Sequence, residues 1–247
     1  MQRTPTLVER FLAEALGTFL LVFVGGGAAA SLGIQLHAAH RAAGLADVLP
    51  VALAHGLILF VIVIVVGKIS GAHVNPAVTL GLASRGFMEW TDVPAYLGGQ
   101  VIGAVVGALA ILVVFGKDAA TFGSLGAPAL ATNTSLFQGL CIEGLGAFIL
   151  VLAIMGSAVD GRAPAGWAGL TIGLALAAII VFIGPATGAT VNPARAFGPD
   201  LIAMFFGAHV DWTAFVVSYL IGPILGGILA VFTYAYIAHM PRRRSLR

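Results

Sequence analysis

Gly71-Ala72-His73-Val74-Asn75-Pro76-Ala77 and Gly188-Ala189-Thr190-Val191-Asn192-Pro193-Ala194 are one pattern written twice, once in each half of the chain. Asn is a strong helix N-cap, because its side chain satisfies one of the backbone N–H groups left orphaned at a helix start. Pro is favoured at the first helical position, where it has no N–H to leave unpaired. Each copy therefore reads as a helix start preceded by a Gly-rich approach. The apolar segments that follow, 76–86 and 193–206, are short. At about 1.5 Å per residue the first covers about 15 Å, half of a bilayer core.

The surroundings explain why half a bilayer is the relevant length. Of 247 residues, 60% are hydrophobic and 9% charged, against about 45–50% and about 25% in a soluble domain. Too little polar surface remains to face water, so lipid must solvate the chain. Six apolar runs are long enough to span, at roughly 10–33, 48–68, 93–115, 136–159, 166–184 and 212–238. The expected fold is an all-α membrane protein: six transmembrane helices plus two re-entrant half-helices in an inverted repeat.

Charge sets the orientation. Arg3 and Arg10 precede the first span, and Arg242, Arg243, Arg244 and Arg247 follow the last. The positive-inside bias then places both termini in the cytoplasm, with Lys68, Arg85 and Arg162 also inside and only Arg41 and Lys117 in outer loops. The cell membrane is the expected location and the lipid bilayer the first partner. Arg162 and the basic tail suit anionic lipid, although a plain topology signal explains them as well. The net charge of +2 and its placement argue against nucleic acid. The single cysteine, Cys141, allows no intrachain disulfide, and the first apolar run, which holds Glu14, is too long for a cleavable leader. No metal-ligand spacing, nucleophile–base pair or phosphate loop is present. The reading is accordingly not an enzyme, with no cofactor and no metal.

The halves repeat beyond the paired motif. Glu14-Ala15-Leu16-Gly17-Thr18-Phe19 is echoed by Glu143-Gly144-Leu145-Gly146-Ala147-Phe148, and Tyr96-Leu97-Gly98-Gly99 by Tyr219-Leu220-Ile221-Gly222. Three spans per half is odd, so the second half lies upside down relative to the first. One transmembrane channel domain is expected, with repeats at approximately 8–116 and 134–240. The two Asn-Pro-Ala starts then meet at mid-membrane, where non-helical backbone is tolerated only if buried in protein or lining a wet cavity. Two positive helix ends facing one site repel cations and protons, while a neutral dipole passes with its oxygen toward the amides of Asn75 and Asn192.

Ser70-Gly71-Ala72-His73-Val74-Asn75-Pro76-Ala77-Val78-Thr79-Leu80 and Thr187-Gly188-Ala189-Thr190-Val191-Asn192-Pro193-Ala194-Arg195-Ala196-Phe197-Gly198-Pro199 resemble the two signature loops of the aquaporin, or major intrinsic protein, family. The resemblance covers the whole chain. It implies a passive pore in each subunit of a homotetramer, with Asn75, Pro76, Ala77, Asn192, Pro193 and Ala194 at the pore midplane. It also implies an outer selectivity filter, here His55, Ile180, Ala189 and Arg195. Strict water channels usually carry Phe where His55 stands and His where Ile180 stands, and glycerol channels usually carry Trp in place of His55. The expected pore is wider than a strict water filter and lacks the paired aromatics that cradle glycerol's carbons. His, Ile, a small residue and Arg resemble the filter of the plant vacuolar branch, whose members pass water and often ammonia.

Other markers are mixed. Ala196 fits a water channel, where glycerol channels place Asp. Tyr219 fits too, but Leu220 departs from the usual Trp, and Asp200 matches neither subgroup. Water is the expected solute, with ammonia and glycerol as further small neutral candidates. A glycerol-type facilitator with little water selectivity is the alternative.

Glu14 and Glu143 are the carboxylates well inside spans, and such groups are functional candidates by default. A proton relay through them would make the chain an ion-coupled transporter. Their symmetry favours another task, accepting hydrogen bonds from backbone N–H groups of the re-entrant loops. His73 is expected at the inner pore mouth, where a pH response and a capping role both fit. Gly17, Gly99, Gly103, Gly146, Gly222 and Gly226 suit close helix packing.

Overall fold

The computed structural model describes residues 3–241. The tail arginines Arg242, Arg243, Arg244 and Arg247, on which part of the orientation argument rests, lie outside the described residues. Among the described residues six helices are long and apolar enough to cross a membrane: Leu7–Ala38, Leu45–Ser70, Val93–Phe115, Leu136–Val159, Ala168–Thr187 and Trp212–Ile237. Two half-helices, Pro76–Arg85 and Pro193–Phe205, follow the second and fifth spans. The architecture is the one expected: all-α, with six spans and two re-entrant half-helices in an inverted repeat. Both described ends of the chain lie on one face, called here the terminal face. The loops after the first, third and fifth spans lie on the far face.

The first span departs most from its expected bounds of 10–33. It begins earlier because Thr6 and Glu9 form a capping box, in which the Thr6 hydroxyl accepts from the Glu9 N–H and the Glu9 carboxylate accepts from the Thr6 N–H. It also runs on through the polar turn Gln35-Leu36-His37-Ala38, which hydropathy alone truncates. The second span likewise extends past 48–68, and the fifth is Ala168–Thr187 rather than 166–184. Three spans contain π-helical stretches, Leu21–Gly26, Met155–Val159 and Phe215–Ile221, which residue periodicity did not reveal.

Packing repeats the sequence symmetry. The first span lies against the third and the fourth against the sixth, while the second and fifth meet across the pseudo-twofold. The first half-helix packs on the sixth span and the second on the third, so each half of the chain encloses the other's re-entrant segment. Glycine sets these distances. A Cβ on Gly99 would meet the carbonyl oxygen of Phe11 at 2.5 Å, and one on Gly103 would collide with that of Ala15. In the second half a Cβ on Gly222 would meet the Leu140 carbonyl oxygen at 2.7 Å, and one on Gly226 would collide with that of Gly144. Gly17 and Gly146 instead face the side chains of Val74 and Val191, at the tips of the two loops.

Those loops hold non-glycine residues in left-handed backbone. Ala72 and Val74 hold φ of 52° and 44°, and Ala189 and Val191 repeat this at 48° and 45°. Left-handed backbone is unfavourable for a β-branched residue such as valine. One buried carboxylate sits beneath each loop. Glu14 accepts from the Ser70 hydroxyl (2.6 Å), the His73 N–H (2.9 Å) and the Val74 N–H (2.6 Å). Glu143 accepts from the Thr187 hydroxyl (2.6 Å), the Thr190 N–H (3.0 Å) and the Val191 N–H (2.6 Å). Tyr96 and Tyr219 close the pattern, each donating its hydroxyl to a loop carbonyl, Ser70 at 2.6 Å and Thr187 at 2.8 Å. Glu14 has a fourth donor, Gln100 Nε2 at 2.7 Å, whereas Pro223 stands four residues past Tyr219 where Gln100 follows Tyr96.

Ion pairs tie the terminal face. Arg10 reaches Asp92 at 2.6 Å. Asp160 accepts from Arg162 and from the Tyr234 hydroxyl, while Arg162 donates onward to the Ala238 carbonyl. The Arg162 guanidinium holds the Asp160 carboxyl well below the usual carboxylate range.

Two substitutions test this account. Gly226→Ala places a methyl into the Gly144 backbone, and overpacking of that kind costs about 1–3 kcal/mol. Thermal unfolding in detergent should drop for it and stay unchanged for Gly161→Ala, since nothing lies within 4 Å of a Cβ at Gly161. Glu14→Gln replaces one acceptor oxygen by an amide that faces donors in either orientation. It should destabilise by about 1–3 kcal/mol for each N–H or hydroxyl left unpaired, read from the same unfolding curves.

Candidate functional site

The paired motif forms two helix starts that face each other. Asn75 caps its half-helix by accepting from the Ala77 N–H at 2.8 Å, and Asn192 accepts from the N–H groups of Ala194 and Arg195, both at 3.1 Å. Pro76 and Pro193 occupy the first helical turn, where no N–H is needed. Ala77 and Ala194 are fully packed beneath them. Each asparagine also reaches across the pseudo-twofold: Asn75 Nδ2 donates to the Val191 carbonyl and Asn192 Nδ2 to the Val74 carbonyl, both at 2.8 Å. An amide nitrogen carries two hydrogens, so each keeps a second N–H beyond this exchange.

A cavity of about 320 Å³ runs past both asparagines. Its wall is largely aliphatic, from residues such as Leu59, Leu150 and Leu176, interrupted by His55, His73, Asn75, Thr190, Asn192 and Arg195. A second cavity of about 160 Å³ opens on the far face, and Ile180 lines it. Arg195 lines both. The structure thus brings His55, Ala189 and Arg195 to one cavity and Ile180 to the other, on the far side of the guanidinium. His73 lies in the main cavity toward the terminal face, near Phe87 and Val159, with its Nδ1 3.1 Å from the Thr79 hydroxyl.

Arg195 is 4% exposed and held from one side. Its Nε and Nη2 lie 3.3 and 3.2 Å from His55 Nε2, while His55 Nδ1 lies 2.9 Å from the Val51 carbonyl. The carbonyl requires a proton on Nδ1, which leaves Nε2 as the acceptor for the guanidinium. Arg195 Nη1 is buried and has no partner among the described residues. The imidazole lies over Gly25, where a Cβ would approach the ring to within 2.6 Å of Nε2. Gly25 belongs to the first π-helical stretch, and such stretches recur at functional sites.

Sequence reasoning missed Gln100 and Gly25. Gln100 had a signal: it is the one amide side chain in an otherwise apolar third span, and a polar group at membrane depth is seldom idle. It bridges Glu14 and the Thr79 hydroxyl. Gly25 sits in a run of three glycines and has no such signal.

The family model described as Major intrinsic protein matches residues 1–234. A protein named probable aquaporin AqpM from Archaeoglobus fulgidus is 42% identical over 245 residues, covering 95% of this chain and 99% of its own. Aquaporin NIP1-1 of Zea mays is 34% identical over 230 residues, covering 93% of this chain and 75% of its own. Among solved structures, the aquaglyceroporin from Plasmodium falciparum superposes with a TM-score of 0.82 at 27% identity, covering 94% of this chain and 97% of that one. The pore-lining geometry and these likenesses agree: the chain belongs to the major intrinsic protein family, the aquaporins.

Proposed function

We propose that water is the main solute of this channel, with ammonia and glycerol as further small neutral solutes, all moving down their gradients while ions and protons are excluded. The carrying observation is the meeting of two capped half-helix N-termini beside one largely aliphatic cavity, with Arg195 on its wall. Asn75 and Asn192 each offer one amide N–H at the midplane, and the positive helix ends turn a water's oxygen toward them. Arg195 supplies a fixed positive charge between the two cavities it lines. His55, Ile180 and Ala189 set the width around it, His73 lines the inner mouth, and Glu14 and Glu143 hold the loops.

Several parts of this reading concern setting rather than conduction. The arginines near the termini support a cytoplasmic terminal face and insertion in the cell membrane. The family and the many large apolar side chains left exposed, such as Leu57, Val113 and Phe182, support a homotetramer surrounded by lipid. A glycerol-type facilitator is the second reading, favoured by the small Ala189 and by an imidazole where a larger aromatic ring would narrow the passage.

Purified protein in liposomes, followed by stopped-flow light scattering, separates these. Under an impermeant sugar gradient the vesicles should shrink far faster than bare lipid, and under a glycerol gradient re-swelling should lag shrinkage. Re-swelling as fast as shrinkage would select the facilitator, and neither exceeding bare lipid would overturn the open channel. Arg195→Val should leave water flow high but raise sodium or proton leak at least about tenfold, equivalent to about 1.4 kcal/mol of lost barrier. An unchanged leak in a pH-dye liposome assay would remove Arg195 from the ion barrier.

A further inference from the structure

Arg195 and Asp200 share the second half-helix but open on different spaces. Arg195 lines both pore cavities and Asp200 lines neither. Asp200 faces a third cavity of about 210 Å³ on the far face, walled by residues 127–130, by Ala203 and by residues 208–211 ahead of the sixth span. Asp200 as a whole is 5% exposed. It takes no part in the hydrogen bonds of its neighbours, and the ion pairs among the described residues are made elsewhere, by Glu9, Asp92, Asp47 and Asp160.

The rest of the chamber adds negative charge. Asp211 uses Oδ1 to cap the sixth span, accepting from the N–H groups of Thr213 (2.9 Å) and Ala214 (3.0 Å), and Oδ2 has no such bond. The Tyr219 hydroxyl is committed to the Thr187 carbonyl, so it is not free to donate to Asp200. His209 and Ser124 complete the polar lining, and no Lys or Arg lines the space. A buried carboxylate without a partner is strongly unfavourable unless a counter-charge or water meets it. At about 30 Å³ per water the chamber has room for an ion that keeps part of its hydration.

The donor set also limits the ion. Among the described residues no three His, Cys, Asp or Glu side chains are grouped closely enough to hold a metal, so the chamber offers no cage of side-chain ligands of the kind that binds zinc tightly. We propose that this chamber binds a small monovalent cation, of the size of potassium or ammonium, at Asp200. Ala127, Pro128 and Ala129 line both the chamber and the far-face pore cavity. The cation therefore sits behind the loop, beside the entry that Arg195 closes to it.

Thallium(I), which matches both ions in charge and size, is the probe. Crystals of the full chain grown with thallium acetate should give an anomalous peak in the chamber against the Asp200 carboxylate. Excess ammonium or potassium should diminish it, and Asp200→Asn should remove it. No peak in the wild-type protein at saturating thallium overturns the proposal, and that result does not depend on the variant folding. An unchanged peak in Asp200→Asn overturns it too, as does a site that manganese(II) fills and thallium does not.

Discussion

Two buried carboxylates hold the pore loops in a shape their sequences would not otherwise keep. Alanine and valine at positive φ are unfavourable, and the loop N–H groups that turn away from the cavity have no water to satisfy them. Glu14 and Glu143 answer both problems, each gathering a hydroxyl and two successive backbone N–H groups. With the N–H groups drawn toward the carboxylate, the half-helix starts are fixed in position and the asparagines are aimed. The cavity, the meeting of helix ends and the placement of Arg195 all follow from that anchoring.

Most of the fold was legible because it rests on local rules. Span length follows from bilayer thickness, the half-helices from Asn-Pro at their starts, and the inversion from an odd number of spans per repeat. The glycines whose Cβ would strike a facing backbone or loop were visible as an echo between halves. What stayed hidden depends on contact between distant segments. The π-helical stretches leave no periodic trace in runs that are apolar all round. The hydrogen bond between His55 and Arg195 joins residues 140 positions apart, and no spacing rule predicts it. Asp200 was visible only as a residue that fitted neither subgroup, since its isolation is a property of the folded cavity.

The two halves are symmetric in backbone and unequal in chemistry. The first loop is braced by Gln100, which ties Glu14 to Thr79 and through it to His73. The second has proline at the matching place and a Thr190 hydroxyl with no partner among the described residues. The polar machinery is correspondingly divided. The first half supplies His55 and a braced first loop, and the second supplies Arg195 and its unpaired Nη1. One imidazole, fixed in a single tautomer by the Val51 carbonyl, joins the two.

The exchange between Asn75 and Asn192 carries a consequence for how the chain is made. Asn75 donates to a carbonyl 116 residues downstream. At roughly 5–20 residues per second, the ribosome needs on the order of ten seconds to deliver it. Through that interval the first re-entrant segment is synthesised without its partner, with a polar amide that the bilayer interior does not satisfy. Completion of the first half-helix at its final depth therefore belongs to a late stage of biogenesis. Until the second loop arrives, the first three spans lack the carbonyl that the Asn75 amide meets in the finished structure.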